Sequence, residues 1–184
     1  MKIFLFLFLA ISVGGCTGKS GNTAKKISVG SFEGSFLMSE DLPGYKKTNM
    51  DTSDSAGTES ERKKAGILKS QSRVWIKSDM IADSRALFET ESQAKEYYSS
   101  STSRGKKEFT KTRECPVKGM TCMVFSGEIQ SPDKQTVIAG SSCLFRHETL
   151  VGRIFIATKK TSVNLDEERI DNLCRKAAAK IMRK

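Results

Sequence analysis

The sequence predicts an α+β domain: an antiparallel β-sheet, built around a meander, with the C-terminal helix and a shorter helix packed on one face. Two patterns lead to this fold class. Residues 121–129, 136–146 and 150–159 are three runs of strand-forming residues joined by short turns. The C-terminal segment repeats apolar residues at helical spacing. With 184 residues, of which 38% are hydrophobic, the chain is long enough for one ordinary domain.

The elements before the meander are predicted from local signals. Residues 42–45 (Leu-Pro-Gly-Tyr) have the order of a type II turn. Residues 66–77 are predicted to form a strand, residues 79–83 a turn, and residues 85–88 a short returning strand. Residues 27–38 fit either a first strand or a short helix, because their pattern does not decide between the two.

Two helices are predicted. Thr90, with Gln93 three residues later, has the pattern of a capping box that begins a short helix. We expect the small polar residues 99–105 to end it. A second cap at residues 164–167 precedes the C-terminal helix, whose apolar stripe consists of Ile170, Leu173, Cys174, Ala177 and Ile181.

The N-terminus has the pattern of a bacterial export signal. Lys2 precedes an apolar run at 3–13, which is too short to span a bilayer, since a helix needs about 20 residues for that. The tetrapeptide V-G-G-C at 13–16 resembles the bacterial lipobox, in which an aliphatic and two small residues precede a cysteine that becomes diacylated. The resemblance implies a signal peptide at 1–15 and thioether-linked lipid on Cys16.

Lipidation would anchor the mature chain to a membrane of the cell envelope. Residues 16–27 are mostly small and polar, so we expect a flexible tether there and a single folded domain at 28–184. Thr17 is not the Asp that commonly retains lipoproteins in the inner membrane. The resemblance therefore implies the outer membrane where the host has one, with the body facing the periplasm or the cell surface.

The order of strand, capped helix, meander and closing helix resembles small envelope domains of the PsbP/Mog1 type and actinobacterial extracellular sensor domains. This resemblance concerns architecture alone. It transfers no function, because one fold carries many unrelated activities.

Once the first of the five cysteines carries lipid, an even number remains, which in an exported domain predicts two disulfides. One pairing joins Cys115 to Cys122 across a short loop and Cys143 to Cys174 between sheet and last helix. The other joins Cys115 to Cys174 and Cys122 to Cys143. It stays open because a hairpin centred at 132–133 places residues 122 and 143 opposite each other. The spacing lacks the close cysteine pairs of zinc sites, so no metal is expected.

The sequence offers no catalytic constellation. The single histidine, His147, falls in a predicted turn with no evident Ser or Cys partner, and one His excludes the H-E-x-x-H zinc sites. The nucleophile-elbow and glycine-rich dinucleotide-loop motifs are missing from the sequence. We therefore expect neither an enzyme nor a cofactor.

The chain is basic, with 31 Lys and Arg against 21 Asp and Glu. The excess is uneven, and one predicted loop at 104–114 contains five bases and two acids; the bases are Arg104, Lys106, Lys107, Lys111 and Arg113. Nucleic acid is not an expected partner of an exported protein. The accessible partners are anionic lipid, lipopolysaccharide, a wall polymer or an acidic protein surface. The alternative is a solvated face without a partner.

Three functions are compatible with these features. The first is a membrane-anchored accessory or ligand- and protein-binding module without catalysis. The second is an inhibitor or immunity-type lipoprotein that blocks a toxin, lytic enzyme or phage component. The third is a hydrolase, which would need a nucleophile beside His147 in a cleft. We take the first as the expectation.

Overall fold

The structure is a computed structural model, and it describes residues 32–48, 58–115, 117–130, 137–158 and 167–182. The predicted signal peptide, Cys16 and the tether lie outside these ranges. Within them, no helix combines the length and the hydrophobicity that crossing a membrane takes.

A seven-stranded antiparallel sheet forms the centre of the described part of the chain, in the order β1-β2-β3-β7-β6-β5-β4. The strands are β1 Lys46–Lys47, β2 Ile67–Ile76, β3 Met80–Phe88, β4 Lys111–Glu114, β5 Thr121–Gln130, β6 Val137–His147 and β7 Leu150–Thr158. Three helices accompany them: α1 Glu59–Lys64, α2 Glu91–Glu108 and α3 Glu167–Met182. The predicted α+β class is confirmed.

The predicted meander is confirmed, because β5, β6 and β7 pair as consecutive antiparallel neighbours. The hairpin register that kept the second disulfide pairing open is not the one observed: Cys122 lies opposite Phe145, and Cys143 lies opposite Val124. The two registers differ by two residues and place each side chain on the same face, since side chains alternate with a period of two. The apolar pattern therefore could not distinguish them.

Strand β3 is longer than predicted. The predicted turn at 79–83 is wrong, because the chain already turns at Lys77, whose N–H donates to the carbonyl of Asp79 at 2.9 Å. Asp83 lies inside the strand despite the low strand propensity of Asp. Its carboxylate is compensated there by an ion pair with Arg85.

Helix α3 covers one face of the sheet. Its predicted apolar stripe is buried and packs with strand residues such as Phe145 and Ile154. The segment before the sheet covers more of this face with Phe32, Phe36, Leu37 and Leu42, all at most 3% exposed. Helical turns at residues 32–33 and Ser39–Asp41 form this segment.

The prediction that both helices pack on one face is wrong, because α2 covers the opposite face. Tyr98 of α2 and Phe109, directly after it, pack there with Phe125 and Leu144. The inner strands carry apolar side chains at adjacent positions, for example Leu144 beside Phe145. Both faces of the sheet are therefore apolar, and each needs a covering layer.

Helix α2 continues through the serine-rich residues expected to end it. Its predicted cap is confirmed: Thr90 Oγ1 accepts from the N–H of Gln93 at 3.2 Å, and Gln93 Oε1 accepts from the N–H of Thr90 at 3.0 Å. Ser100 Oγ donates back to the carbonyl of Tyr97 at 3.0 Å, so this hydroxyl is satisfied within the helix. Packing on the sheet outweighs the weak helix propensity of serine.

The turn at 42–45 is confirmed as type II. Gly44 has φ of 80°, the left-handed value that this turn requires at its third residue. The N–H of Tyr45 donates to the carbonyl of Leu42 at 3.1 Å.

Candidate functional site

Of the predicted site residues, Cys16 lies outside the described ranges, and its lipidation stays a prediction. The structure describes the four cysteines of the body and the five bases of residues 104–113, here called the basic segment. The structure brings the cysteines together but separates the bases into three environments.

Both predicted disulfides are present, in the first of the two pairings. Cys115–Cys122 closes the connection between β4 and β5, with its Cα atoms 5.3 Å apart. Cys143–Cys174 joins β6 to α3, with its Cα atoms 6.4 Å apart. The second bridge holds the C-terminal helix on the sheet, as expected from the position of Cys174 on the apolar stripe.

The two bridges are neighbours. The sulfur atoms of Cys115, Cys143 and Cys174 all lie within 4.8 Å of one another. Such a cluster could bind a metal as thiolates, but sulfur in a disulfide has no thiolate to donate. The oxidised cluster is a pair of adjacent cross-links.

The basic segment is not a loop, so this prediction is wrong. Its bases lie in the last turns of α2 (Arg104, Lys106, Lys107) and on β4 (Lys111, Arg113). Phe109 lies between the two elements, is 4% exposed, and has its ring centre 5.9 Å from that of Phe125. This buried anchor holds the segment to the sheet.

Three of the five bases are exposed: Lys106, Lys107 and Lys111, here called the basic ridge. Arg113 is engaged instead in ion pairs, with Nη2 2.6 Å from Oδ1 of Asp171 and Nε 3.7 Å from Oε2 of Glu167. It therefore ties β4 to the start of α3. Arg104 is partly buried and lines a cavity.

His147 lies at the end of β6, before a turn in which Glu148 has φ of 49°. Its Nδ1 is 3.3 Å from the carbonyl oxygen of Gly119, and its Nε2 is 3.9 Å from Oε1 of Glu148. The imidazole therefore contacts the loop before β5 and its own turn. Neither contact supplies a nucleophile.

The cavity lies between α2 and the sheet, on the face opposite to α3. Its free volume is about 40 Å³, which holds roughly three water molecules. The polar residues that line it are Ser70, Ser84, Arg85 and Arg153 from the sheet and Tyr97, Ser101, Arg104 and Glu108 from α2.

The residues on the sheet side of this cavity were not predicted from the sequence. The available signal was a charged residue in an otherwise uncharged, mostly apolar strand: Arg153 comes after Val151 and Gly152 and before Ile154 and Phe155 in β7. Burial lowers the pKa of Arg153. Asp83 and Arg85 in β3 show the same signal.

No protein-family profile matches the chain, and no curated protein does either. Among solved structures, the chain is similar to the extracellular domain of PknH from Mycobacterium tuberculosis. The TM-score is 0.50, with 11% sequence identity, over 85% of this chain and 96% of that one. At this identity the likeness shows the fold. It supports, at the level of architecture, the predicted resemblance to small extracellular α+β domains.

Proposed function

We propose that the chain is a lipid-anchored protein of the bacterial cell envelope and that its body is a non-catalytic module that binds an anionic partner. The anchor rests on the V-G-G-C tetrapeptide ending at Cys16. Two disulfides support an exported location, because such bonds persist in oxidising compartments. The extracellular neighbour in fold is compatible with the same location.

The contacts of His147 support the proposal of a non-catalytic role. General-base chemistry needs a nucleophile within hydrogen-bond reach of the imidazole. Its contacts with Gly119 and Glu148 fit a structural role in the turn instead.

The observation that carries the binding role is the basic ridge. Lys106 and Lys107 project from the last turn of α2, and Lys111 lies on β4, the edge strand of the sheet. Each lysine near an anionic membrane contributes about 1 kcal/mol, over a Debye length of roughly 8–10 Å. Three lysines alone therefore give weak attraction, about two orders of magnitude in affinity. A lipid anchor would add to it by holding the body close to the surface.

Metabolic labelling with radioactive palmitate tests the anchor. We expect label in the wild-type chain, none in Cys16→Ala, and accumulation of an unprocessed form when lipoprotein signal peptidase is inhibited. Cleavage of Cys16→Ala at the same site, with wild type that never enters a detergent phase, would contradict lipidation.

Co-sedimentation of the mature chain from residue 17 with vesicles tests the ridge. We expect weak binding to phosphatidylglycerol vesicles at low salt, release as salt rises, and no binding to phosphatidylcholine. Replacing Lys106, Lys107 and Lys111 with Gln should remove most of it.

The matched control replaces Lys46, Lys64 and Lys95 with Gln. All three are exposed, and Lys46 lies at the opposite edge of the sheet. This variant loses the same charge and should still bind. Equal binding by both triple variants would contradict a role for the ridge. Capture of a lytic enzyme or toxin from envelope extract, independent of the ridge, would favour the inhibitor function instead.

A further inference from the structure

The cavity under α2 is lined by an arginine, Arg153, that forms no ion pair with an acid among the described residues. Arg153 donates from Nε to Oγ of Ser142 at 2.7 Å, and its guanidinium lies 5.9 Å and 5.8 Å from the ring centres of Phe109 and Phe155. Against the larger effect of burial, the negative charge of Glu108 raises the pKa of Arg153, but the two side chains do not form an ion pair. Burial disfavours the charged guanidinium because it loses water, and a bound anion would compensate.

Ser70 gives a second, independent sign of a ligand. Its side chain is 4% exposed and lines the cavity, and its Oγ has no hydrogen-bond partner in the described part of the chain. Ser84, which lines the same cavity, is paired, with its Oγ 2.7 Å from that of Ser72. Buried hydroxyl groups in native proteins nearly always have a partner. Ser70 therefore places a hydroxyl without a partner beside the cavity.

We propose that this cavity binds a small oxyanion, either a free ion or the charged end group of a larger molecule. Three arginines line it, Arg85, Arg104 and Arg153, and Arg85 is paired with Asp83. Among the described residues one carboxylate lines it, that of exposed Glu108. Guanidinium groups donate to carboxylate and phosphate oxygens in pairs. Tyr97 and Ser101, which hydrogen-bond each other, complete the helix side.

The cavity and the basic ridge would act differently. The ridge attracts any anionic surface, whereas a cavity of about 40 Å³ admits one group of roughly the size of phosphate. The inference therefore goes beyond the proposed function, and it requires neither the lipid anchor nor the ridge.

The experiment titrates the full-length chain, in non-ionic detergent, with sodium phosphate and separately with sodium acetate, at ionic strength kept constant with chloride. Amide chemical shifts report binding. We expect saturable shifts at Ser70, Ser101 and Arg153 with millimolar affinity for at least one of the two ions. Binding of one ion alone identifies the oxyanion as phosphate or carboxylate, and binding of both shows a site that accepts either.

Ser70→Ala should weaken binding roughly tenfold, the effect of one hydrogen bond to a charged group. The matched control is Ser141→Ala. Ser141 is also buried, at 3% exposed, and its Oγ also lacks a partner among the described residues. It lies on the α3 face, two residues before Cys143, and outside the cavity. This variant should bind like wild type.

Arg104→Gln should also weaken binding, and it tests a second guanidinium without removing the buried contacts of Arg153. Three outcomes would overturn the inference. They are the absence of saturable shifts with both ions, shifts confined to the exposed lysines, and equal weakening by Ser70→Ala and Ser141→Ala.

Discussion

Nη1 of Arg85 lies 2.7 Å from Oδ1 of Asp83, and both side chains are fully buried. Oδ2 of the same carboxylate accepts from Nη2 of Arg85 at 3.0 Å and from the N–H of Leu37 at 2.8 Å. The guanidinium lies 4.4 Å from the ring centre of Phe145 and 5.6 Å from that of Phe36. The pair therefore ties the segment before the sheet to β3 and β6.

Arg85→Met should be strongly destabilising. Burial lowers the pKa of Arg85 to about 10, so the group remains charged at neutral pH, and its removal leaves a buried carboxylate without a counter-ion. Such a loss costs about 3–5 kcal/mol of unfolding free energy, to be measured by urea denaturation. The double variant Asp83→Leu, Arg85→Met should lose less than Arg85→Met alone, because it leaves no buried charge behind.

The control for this pair is Arg175→Met, which removes an exposed arginine from α3. Its unfolding free energy should stay within about 0.5 kcal/mol of wild type. A value for Arg85→Met equally close to wild type would show that the buried pair contributes nothing.

The two disulfides should contribute unequally. Cys143–Cys174 spans 31 residues and Cys115–Cys122 spans 7. In the chain-entropy account, the longer loop stabilises by about 4 kcal/mol and the shorter by about 2 kcal/mol. Denaturation of the two double-alanine variants should show this order. The reverse order would contradict a dominant loop-closure effect.

Gly105→Ala should destabilise the protein although alanine is the better helix former. A Cβ at this position would lie 2.7 Å from Cε1 of Phe125, a buried ring that is 1% exposed, so the ring would have to shift. Overpacking costs about 1–3 kcal/mol, more than the ~1 kcal/mol that alanine gains over glycine in a helix. Ser103→Ala, at an exposed position of the same helix, should instead be slightly stabilising. A higher melting temperature for Gly105→Ala would show that the contact with Phe125 is loose.

The elements that could be predicted from the sequence depend on local signals. The stripe from Ile170 to Ile181, the cap at Thr90 and the alternation in the meander each lie within one segment. The end of α2 could not be predicted in this way, because the packing of Gly105 and Phe109 against Phe125 outweighs the serine-rich composition. The face that α2 covers became clear only from the structure, although Leu144 beside Phe145 already indicated a sheet with two apolar faces.

The two candidate sites also differ in how far local sequence signals could predict them. The five predicted bases lie within residues 104–113, so composition pointed to them, but their division among helix, strand and cavity depends on tertiary contacts. Ser70 and Arg153 belong to β2 and β7, which are separated in the sheet by β3. No local pattern brings these two residues together, and only the strand order does.

Glu33 should make a pH-dependent contribution to stability. Its Oε1 accepts from Nζ of Lys69 at 2.6 Å and its Oε2 from Nη2 of Arg73 at 2.8 Å. The hydrogen bond from Lys69, assisted by the charges of Lys69 and Arg73, lowers the pKa of Glu33 below its ordinary value of 4.5. A carboxyl group with a lower pKa in the folded state stabilises fully above the unfolded pKa, and this stabilisation is lost as pH falls through the folded value.

Glu33→Gln should therefore reduce the unfolding free energy near pH 7 and converge with wild type in acid. The side chain of Glu33 is 47% exposed, so solvent screening limits the difference near pH 7 to about 1 kcal/mol or less. Urea denaturation of both proteins from pH 7 down to pH values below the folded pKa of Glu33 measures the two curves. Glu96→Gln, which removes an exposed carboxylate from α2, controls for the change in net charge. A gap between Glu33→Gln and wild type that stays constant across the range would mean that the contacts of Glu33 act independently of its ionisation.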